Sequence, residues 1–193
     1  MFSGIVKGLE KPTSLSKNKN GMRVTLPVPK GWKLLIGESV SVDGICSTIE
    51  RVEKNTFSVY YMPETLRKTM LSALSNTHEF NLERSLTLNS LIGGHLVSGH
   101  IDTTSKIISI VKDGDSKTLT FLLNSRFTKY IIYKGSIAVN GVSLTIVSVN
   151  KNSFTVSLIP YTLSHTNLGS LKVGNTVNIE LDLIAKYLEK LLR

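Results

Sequence analysis

One cysteine, Cys46, and four histidines are the side chains of this 193-residue sequence with the clearest capacity for chemistry. A thiol can attack an electrophile, and an imidazole can take or give a proton near neutral pH. His95 and His100 stand five residues apart, a spacing that on a strand sends them to opposite faces. Cys46 is the only soft ligand available, so a metal centre is disfavoured and none is expected. Each side chain also has a structural reading. A lone cysteine is often a buried strand thiol, and histidines often make satisfied structural hydrogen bonds. Residue type alone does not decide between these readings; placement does.

Hydrophobic residues make up 41% of the chain and charged residues 19%, enough for a packed core and against wholesale disorder. A single cysteine cannot close an intramolecular disulfide, which removes the disulfide-stapled secreted class. Met1-Phe2-Ser3-Gly4-Ile5-Val6 lacks the basic region and long apolar run of a signal peptide. No apolar stretch approaches the roughly 20 residues needed to span a bilayer. A soluble, cytoplasmic protein with no membrane partner is the expectation. The formal charge of +9 raises nucleic acid as a partner. The charge is spread, however: residues 1–95 carry 12 basic and 8 acidic side chains, and residues 96–193 carry 11 and 6. Lys17-Asn18-Lys19-Asn20-Gly21 reads as a turn, so scattered solvated lysines are the better account and no nucleic acid is expected.

An internal repeat organises the chain. Residues 39–83 align with 136–180 at a constant offset of 97, without a gap, and 18 of the 45 pairs are identical. Asp43-Gly44 faces Asn140-Gly141, Pro63-Glu64-Thr65-Leu66 faces Pro160-Tyr161-Thr162-Leu163, and Asn81-Leu82-Glu83 faces Asn178-Ile179-Glu180. Phe2-Ser3-Gly4-Ile5-Val6 has a fainter echo in Val97-Ser98-Gly99-His100-Ile101. This predicts a first domain over residues 1–94, a second over 95–180 and a tail over 181–193.

Each copy reads as β. Short apolar runs rich in β-branched and aromatic residues are punctuated by Asp43-Gly44, Lys54-Asn55 and their counterparts, which suit tight turns. A small closed barrel in each half is the expected form. A short helix is expected to start at Pro63, with Thr65 or the residue before Pro63 as a candidate cap. Ile184, Tyr187, Leu188, Leu191 and Leu192 recur at helical spacing and form one apolar stripe. A helix this short needs a surface to bury that stripe, and a neighbouring subunit is favoured over its own barrels.

Gly44-Ile45-Cys46-Ser47-Thr48, Pro63-Glu64-Thr65-Leu66-Arg67-Lys68-Thr69 and Gly93-Gly94-His95-Leu96-Val97-Ser98-Gly99-His100-Ile101-Asp102 follow the N-terminal Met1–Val6 segment in order. Asn140-Gly141-Val142-Ser143-Leu144-Thr145 and Ile159-Pro160-Tyr161-Thr162-Leu163-Ser164-His165 complete the series. In order, spacing and duplication these elements resemble the riboflavin synthase family, over essentially the whole chain. The resemblance implies an all-β fold: two tandem homologous six-stranded Greek-key barrels with a C-terminal α-helix. It implies a transferase that dismutates two molecules of 6,7-dimethyl-8-ribityllumazine. One gives up a four-carbon unit and leaves as the ribitylamino-pyrimidinedione; the other becomes riboflavin. It further implies no metal or organic cofactor, and a homotrimer built through the C-terminal helix with active sites between subunits. Association with lumazine synthase stays open.

On the family's pattern Phe2, Gly4, Ile5 and Val6 lie near the acceptor pocket, with Cys46, Ser47 and Thr48 facing the pteridine edge. Tyr60, Tyr61, Met62, Pro63, Glu64 and Thr65 continue that pocket, and Gly99, His100 and Ile101 form a substrate-contacting stretch opening the second barrel. Lys134, Ser143, Leu144, Thr145 and the run Ile159, Pro160, Tyr161, Thr162, Leu163 and Ser164 line the donor site. Phe2, Ser39, Cys46, Thr48, His95, His100, Ser143 and Asp182 match positions associated with activity, and His100 and Asp182 are the expected proton handlers. The plainer readings are backbone-bonded strand hydroxyls for Ser39 and Ser143, caps for Thr65 and Thr162, and a surface cation for Lys134.

Three residues depart from the pattern. Ser47 stands where the family usually has Leu, Asp43 where it has Asn, and Tyr161 where it often has His. The rival readings are a non-catalytic lumazine-binding protein of the same fold, and an oligonucleotide-binding barrel pair motivated by a pI near 9.7. The second lacks aromatics interleaved with a basic cluster.

Overall fold

The computed structural model describes residues 1–192. The first half contains strands β1 (Gly8–Glu10), β2 (Ser14–Asn18), β3 (Gly21–Pro27), β4 (Ser39–Val42), β5 (Ile45–Glu53), β6 (Thr56–Tyr61) and β7 (Phe80–Arg84), with helix α1 (Pro63–Lys68) after β6. The second contains β8 (Thr103–Asp113), β9 (Ser116–Leu122), β10 (Ser136–Val139), β11 (Val142–Asn150), β12 (Ser153–Leu158) and β13 (Thr176–Leu181), with α2 (Pro160–His165) after β12. Helix α3 (Leu183–Leu191) follows β13.

The second half is the expected closed six-stranded barrel, in the order β10-β11-β12-β9-β8-β13. Strand β8 closes it by pairing with β13 through its first residues and with β9 through the rest. The first half differs in one place. Its sheet runs β1-β7-β4-β5-β6-β3-β2, seven strands in an open barrel and not the closed six expected, because the equivalent of β8 is split into β1 and β2 at the two edges. The break is at Lys11-Pro12-Thr13. Ile107, the counterpart of Pro12, donates its N–H to the Asn175 carbonyl at 2.9 Å and sits at a bulge before Ser109. Proline has no N–H to give. The buried Pro12 therefore leaves two short strands where the other copy has one.

Both Asx-Gly turns behave as the sequence suggests. Asp43 and Asn140 take φ of 48° and 45°, and the glycines after them 80° and 77°, as a two-residue hairpin of the I′ kind requires. The tips of these turns meet back to back: a Cβ on Gly44 would lie 2.7 Å from the Gly141 nitrogen. Around them Asn81 and Asn178, equivalent in the repeat, repeat each other's bonds. The Asn81 amide donates to the Asn140 carbonyl at 2.9 Å and accepts from the Asn167 N–H at 2.8 Å. The Asn178 amide donates to the Asp43 carbonyl at 3.0 Å and accepts from the Met70 N–H at 2.9 Å. Asp43 breaks the symmetry. Its fully buried carboxylate accepts from the Asn81 N–H and the Asn167 amide, and lies 2.6 Å from His78 Nε2. Burial raises its pKa, and these partners oppose the rise.

Each half has its own core, centred on Phe57 and Phe80 in one and on the stacked pair Phe121 and Phe154, 5.1 Å apart, in the other. Burying one such ring contributes about 1.5–3 kcal/mol. A third, small cluster of Phe2, Val97 and Ala138, with Cys46 against it, joins the halves. Helix α3 is tied to the second barrel by its polar side, through Lys186 with Asp102 and Lys129 with Glu189. Its stripe points away: Ile184, Tyr187, Leu188, Leu191 and Leu192 are all exposed.

Candidate active site

Alternation along β5 decides which side chains can meet a ligand. Ile45, Ser47 and Ile49 point into the barrel and are buried, whereas Cys46 and Thr48 point out. Against this outer face lies a cavity of about 390 Å³, lined by Cys46, Ser47, Thr48, Tyr60, Tyr61, Met62, Glu64, Thr65, Gly99, His100 and Ile101. All of these belong to the expected contact set. Pro63 instead lines a neighbouring cleft with Lys17, Lys19 and Arg67. Ser39 pairs with Thr48 across β4 and β5 and supports the strand.

The third wall of this cavity comes from the other half of the chain. The segment Ser98–Ile101, which precedes β8, crosses over: the Gly99 carbonyl accepts the Cys46 N–H at 2.8 Å and Ile101 packs on the first core. The reciprocal crossing occurs at the second barrel. There the Gly4 carbonyl accepts the Ser143 N–H at 2.8 Å, and Val6 packs on the second core. Gly4, Ile5 and Val6 therefore accompany Ser143, and not Cys46 as the sequence reading placed them. His100 likewise accompanies Cys46 in the first pocket. The swap has a steric basis. Gly4 and Gly99 have φ of 76° and 83°, and a Cβ on either would lie 2.6 Å from the Cβ of Ser143 or Cys46.

Phe2 also departs from its expected place. It is fully buried, packed with Val97 and Ala138 and against Cys46, so it supports the pocket wall from behind. Thr65 and Thr162 do not cap their helices; α1 and α2 begin at Pro63 and Pro160 with no side-chain cap. Thr69 and Thr166 cap the following short turns, accepting from the N–H of Leu71 and Leu168.

Around Ser143 the chain assembles a different set. His95 Nδ1 lies 2.7 Å from Ser143 Oγ, and its Nε2 is buried with no hydrogen-bond partner. Burial lowers the His95 pKa, and the charge of Asp182 opposes the shift. Asp182 itself caps α3, accepting from the Ile184 N–H at 2.9 Å. Thus His100 and Asp182, the two expected proton handlers, stand in different places, His100 with Cys46 and Asp182 near His95. Leu144 is buried, Thr145 is exposed, and Ile159, Pro160, Tyr161 and Ser164 lie exposed at the start of α2 with Thr162 and Leu163 half-buried. The Tyr161 ring stacks on His165 at 4.0 Å. Lys134 is an exposed turn residue with φ of 63°, its Nζ 5.2 Å from the centre of the Tyr133 ring.

Sequence reasoning missed the rim of the first pocket. Glu50, Lys68 and Thr69 also line it; Glu50 holds Arg23 at 2.9 Å, and Lys68 holds Glu64 at 2.8 Å. The signal was present in the mismatched pairs of the repeat, since Glu50 faces Val147 and Lys68 faces His165. The departure at Ser47 also finds its reason. Ser47 Oγ bonds to Tyr61 Oη at 2.8 Å inside the barrel, where the second copy has Leu144 and Leu158. Burial pushes the Tyr61 phenol above its usual range. One small and one large residue stand where the second copy has two of intermediate size, with volume roughly conserved and both hydroxyls paired.

Two homologous β-sheet halves, each crossed by a segment from the other at Cys46 and at Ser143, define a protein built from a duplicated domain. The family model for the lumazine binding domain matches twice, over residues 3–85 and 98–182. The chain belongs to the riboflavin synthase family. It is 39% identical to riboflavin synthase of Actinobacillus pleuropneumoniae and 38% identical to that of Bacillus subtilis, each over 100% of this chain and 90% of the relative. It is 40% identical to riboflavin synthase of Escherichia coli over 94% of this chain and 87% of that one. A crystal structure of LumP complexed with riboflavin superposes with a TM-score of 0.86 at 26% identity, covering 94% of this chain and 99% of that chain. LumP complexed with 6,7-dimethyl-8-(1'-D-ribityl) lumazine gives 0.83 at 25% identity, covering 93% and 98%.

Proposed function

We propose that the chain catalyses the dismutation of two 6,7-dimethyl-8-ribityllumazine molecules to riboflavin and the ribitylamino-pyrimidinedione. The observation that carries this reading is the duplication at atomic detail. The same backbone bond, Cys46 N–H to the Gly99 carbonyl and Ser143 N–H to the Gly4 carbonyl, builds both sites at 2.8 Å. Two copies of one site suit two copies of one ligand. Holding the two rings in fixed places converts a bimolecular encounter into a positioned one. The chemistry then needs a proton removed from the C7 methyl of one lumazine and a nucleophile to saturate the ring of the other. His100 and Cys46 stand ready at the first pocket, and the Ser143–His95 pair with Asp182 at the second, for proton transfer and hydrogen bonding to charged intermediates. The reaction so written needs no metal or organic cofactor.

Finer points of the same reading are proposals too. Residues 1–94 and 95–180 are taken as the two lumazine-binding domains and 181–193 as an assembly tail. The outward apolar stripe of α3 supports a homotrimer in which pockets of different subunits face each other. The compartment is taken to be the cytoplasm; among the described residues no helix is long and apolar enough to cross a membrane.

The test is direct. Purified protein mixed with the lumazine should convert it to riboflavin and the pyrimidinedione in equal amounts, followed by flavin fluorescence and chromatography. Stable, saturable lumazine binding without product would overturn the reading in favour of a non-catalytic binder.

A further inference from the structure

Two buried carboxylates have no part in the chemistry above. Glu83 is the penultimate residue of β7 and Glu180 that of β13, at equivalent positions of the repeat, and they are 6% and 2% exposed. Burying a carboxylate is costly unless donors converge on it. Here they do, in the same pattern twice. Glu83 Oε1 accepts the Ser3 N–H at 2.8 Å and the Ser3 hydroxyl at 2.7 Å, while Oε2 accepts the Gly4 N–H at 3.0 Å. Glu180 Oε1 accepts the Ser98 N–H and hydroxyl, both at 2.6 Å, while Oε2 accepts the Gly99 N–H at 2.9 Å.

What these carboxylates hold is more telling than how they hold it. Ser3-Gly4 is the segment whose carbonyl meets Ser143, and Ser98-Gly99 is the segment whose carbonyl meets Cys46. Each glutamate therefore belongs to the sheet of one half and grips the segment that lies against the other, at Ser143 in one case and at the Cys46 cavity in the other. A carboxylate is the one side chain that offers only acceptors, on both oxygens, to three converging donors. A neutral amide in its place would turn an N–H₂ towards the glycine N–H and repel it.

We propose that Glu83 and Glu180 are positioning residues acting crosswise: Glu83, in the first repeat, sets the geometry of the Ser143 pocket, and Glu180, in the second, sets that of the Cys46 pocket. The assignment of these pockets to lumazine rests on the function proposed above; the crosswise placement does not.

Cys46 supplies a site-specific reporter, because it is the only cysteine of the chain and it lines the first pocket. The rate of Cys46 alkylation by iodoacetamide is measured on the intact protein, without ligand and with saturating 6,7-dimethyl-8-ribityllumazine. Glu180→Gln should change the ligand-free alkylation rate about five-fold or more and weaken protection by lumazine, because the Gly99 backbone is no longer held over the Cys46 Cβ. Glu83→Gln should leave both Cys46 readouts within about two-fold while raising KM or lowering kcat, since its lesion lies at the second pocket. If Glu180→Gln fails to fold, Ser98→Ala and Ser3→Ala, which each remove one donor, replace the pair and should show the same contrast more weakly. Equal effects of the two lesions on Cys46, or an effect of the Glu83 lesion alone, would overturn the proposal. Failure of the functional reading looks different: the unaltered protein would then show no turnover, with or without lumazine protection, and the ligand-free alkylation contrast would be intact.

Discussion

Replacing Gly99 by alanine tests the crossed-over segment at its tightest point, and Gly31 supplies an internal control. The two glycines have nearly the same backbone, φ of 83° and 82°. At Gly31 no atom lies within 4 Å of the position a Cβ would take. Alanine there should cost only the left-handed strain, about 1–2 kcal/mol. At Gly99 the same Cβ would sit 2.6 Å from Cys46 Cβ and 2.7 Å from the Cys46 nitrogen. Those are strand atoms that cannot swing aside, so the segment must lift. That adds an overpacking cost of about 1–3 kcal/mol, plus about 0.5–1.5 kcal/mol for the Cys46 N–H to Gly99 carbonyl bond it stretches. Gly99→Ala should therefore be less stable than Gly31→Ala by about 1.5–4.5 kcal/mol, read by urea unfolding of both variants under identical conditions. Domains commonly hold about 5–15 kcal/mol, so Gly99→Ala should still fold. It should also weaken lumazine turnover, whereas Gly31→Ala should not. Equal unfolding free energies for the two variants would refute the close approach and with it the account of how the first pocket is walled.

The Ser47–Tyr61 pair in the first barrel should behave as a unit: Ser47→Leu alone overpacks against Tyr61 and should lose about 1–3 kcal/mol. Ser47→Leu with Tyr61→Leu recreates the Leu144 and Leu158 arrangement and should recover most of that loss in urea unfolding; additive losses would show the two side chains to be uncoupled. His95 carries a pH signature. Its folded pKa lies below the ordinary 6.5, so between those values the unfolded chain binds the extra proton. Stability should be full above pH 6.5 and decline as pH falls towards the folded pKa, and His95→Gln should remove that slope. An unchanged slope in His95→Gln would assign the titration elsewhere. Deleting residues from Ile184 onward should shift the assembly to monomers in analytical ultracentrifugation; an unchanged oligomer would mean that the exposed stripe of α3 is not the contact.

The duplication, the β character of both halves and the short terminal helix could all be read from the chain, because they depend on local pattern: alternation, Asx-Gly turns and a constant offset. The outer-face set on β5, Cys46 and Thr48 with Tyr60 to Thr65 nearby, followed from the same strand periodicity and from resemblance. What lay beyond reach was everything that depends on which half a segment packs against. Met1–Val6 reads like the start of the first barrel, and Val97–Ile101 like the start of the second. Nothing local states that each crosses to its neighbour, since the decision rests on contacts between residues some 80 positions apart, Glu83 with Ser3 and Glu180 with Ser98. The identity of Glu83 and Glu180 in the repeat was visible, but as one pair among eighteen. The same limit applies to Phe2, which a motif places at a pocket and packing places beneath it, and to Asp43, whose buried carboxylate is tolerable only because His78, Asn81 and Asn167 converge on it. Pattern determined the elements and their duplication; the exchange of segments between barrels, and so the composition of each pocket, was decided by long-range hydrogen bonds and close backbone contacts that exist only once both halves are folded.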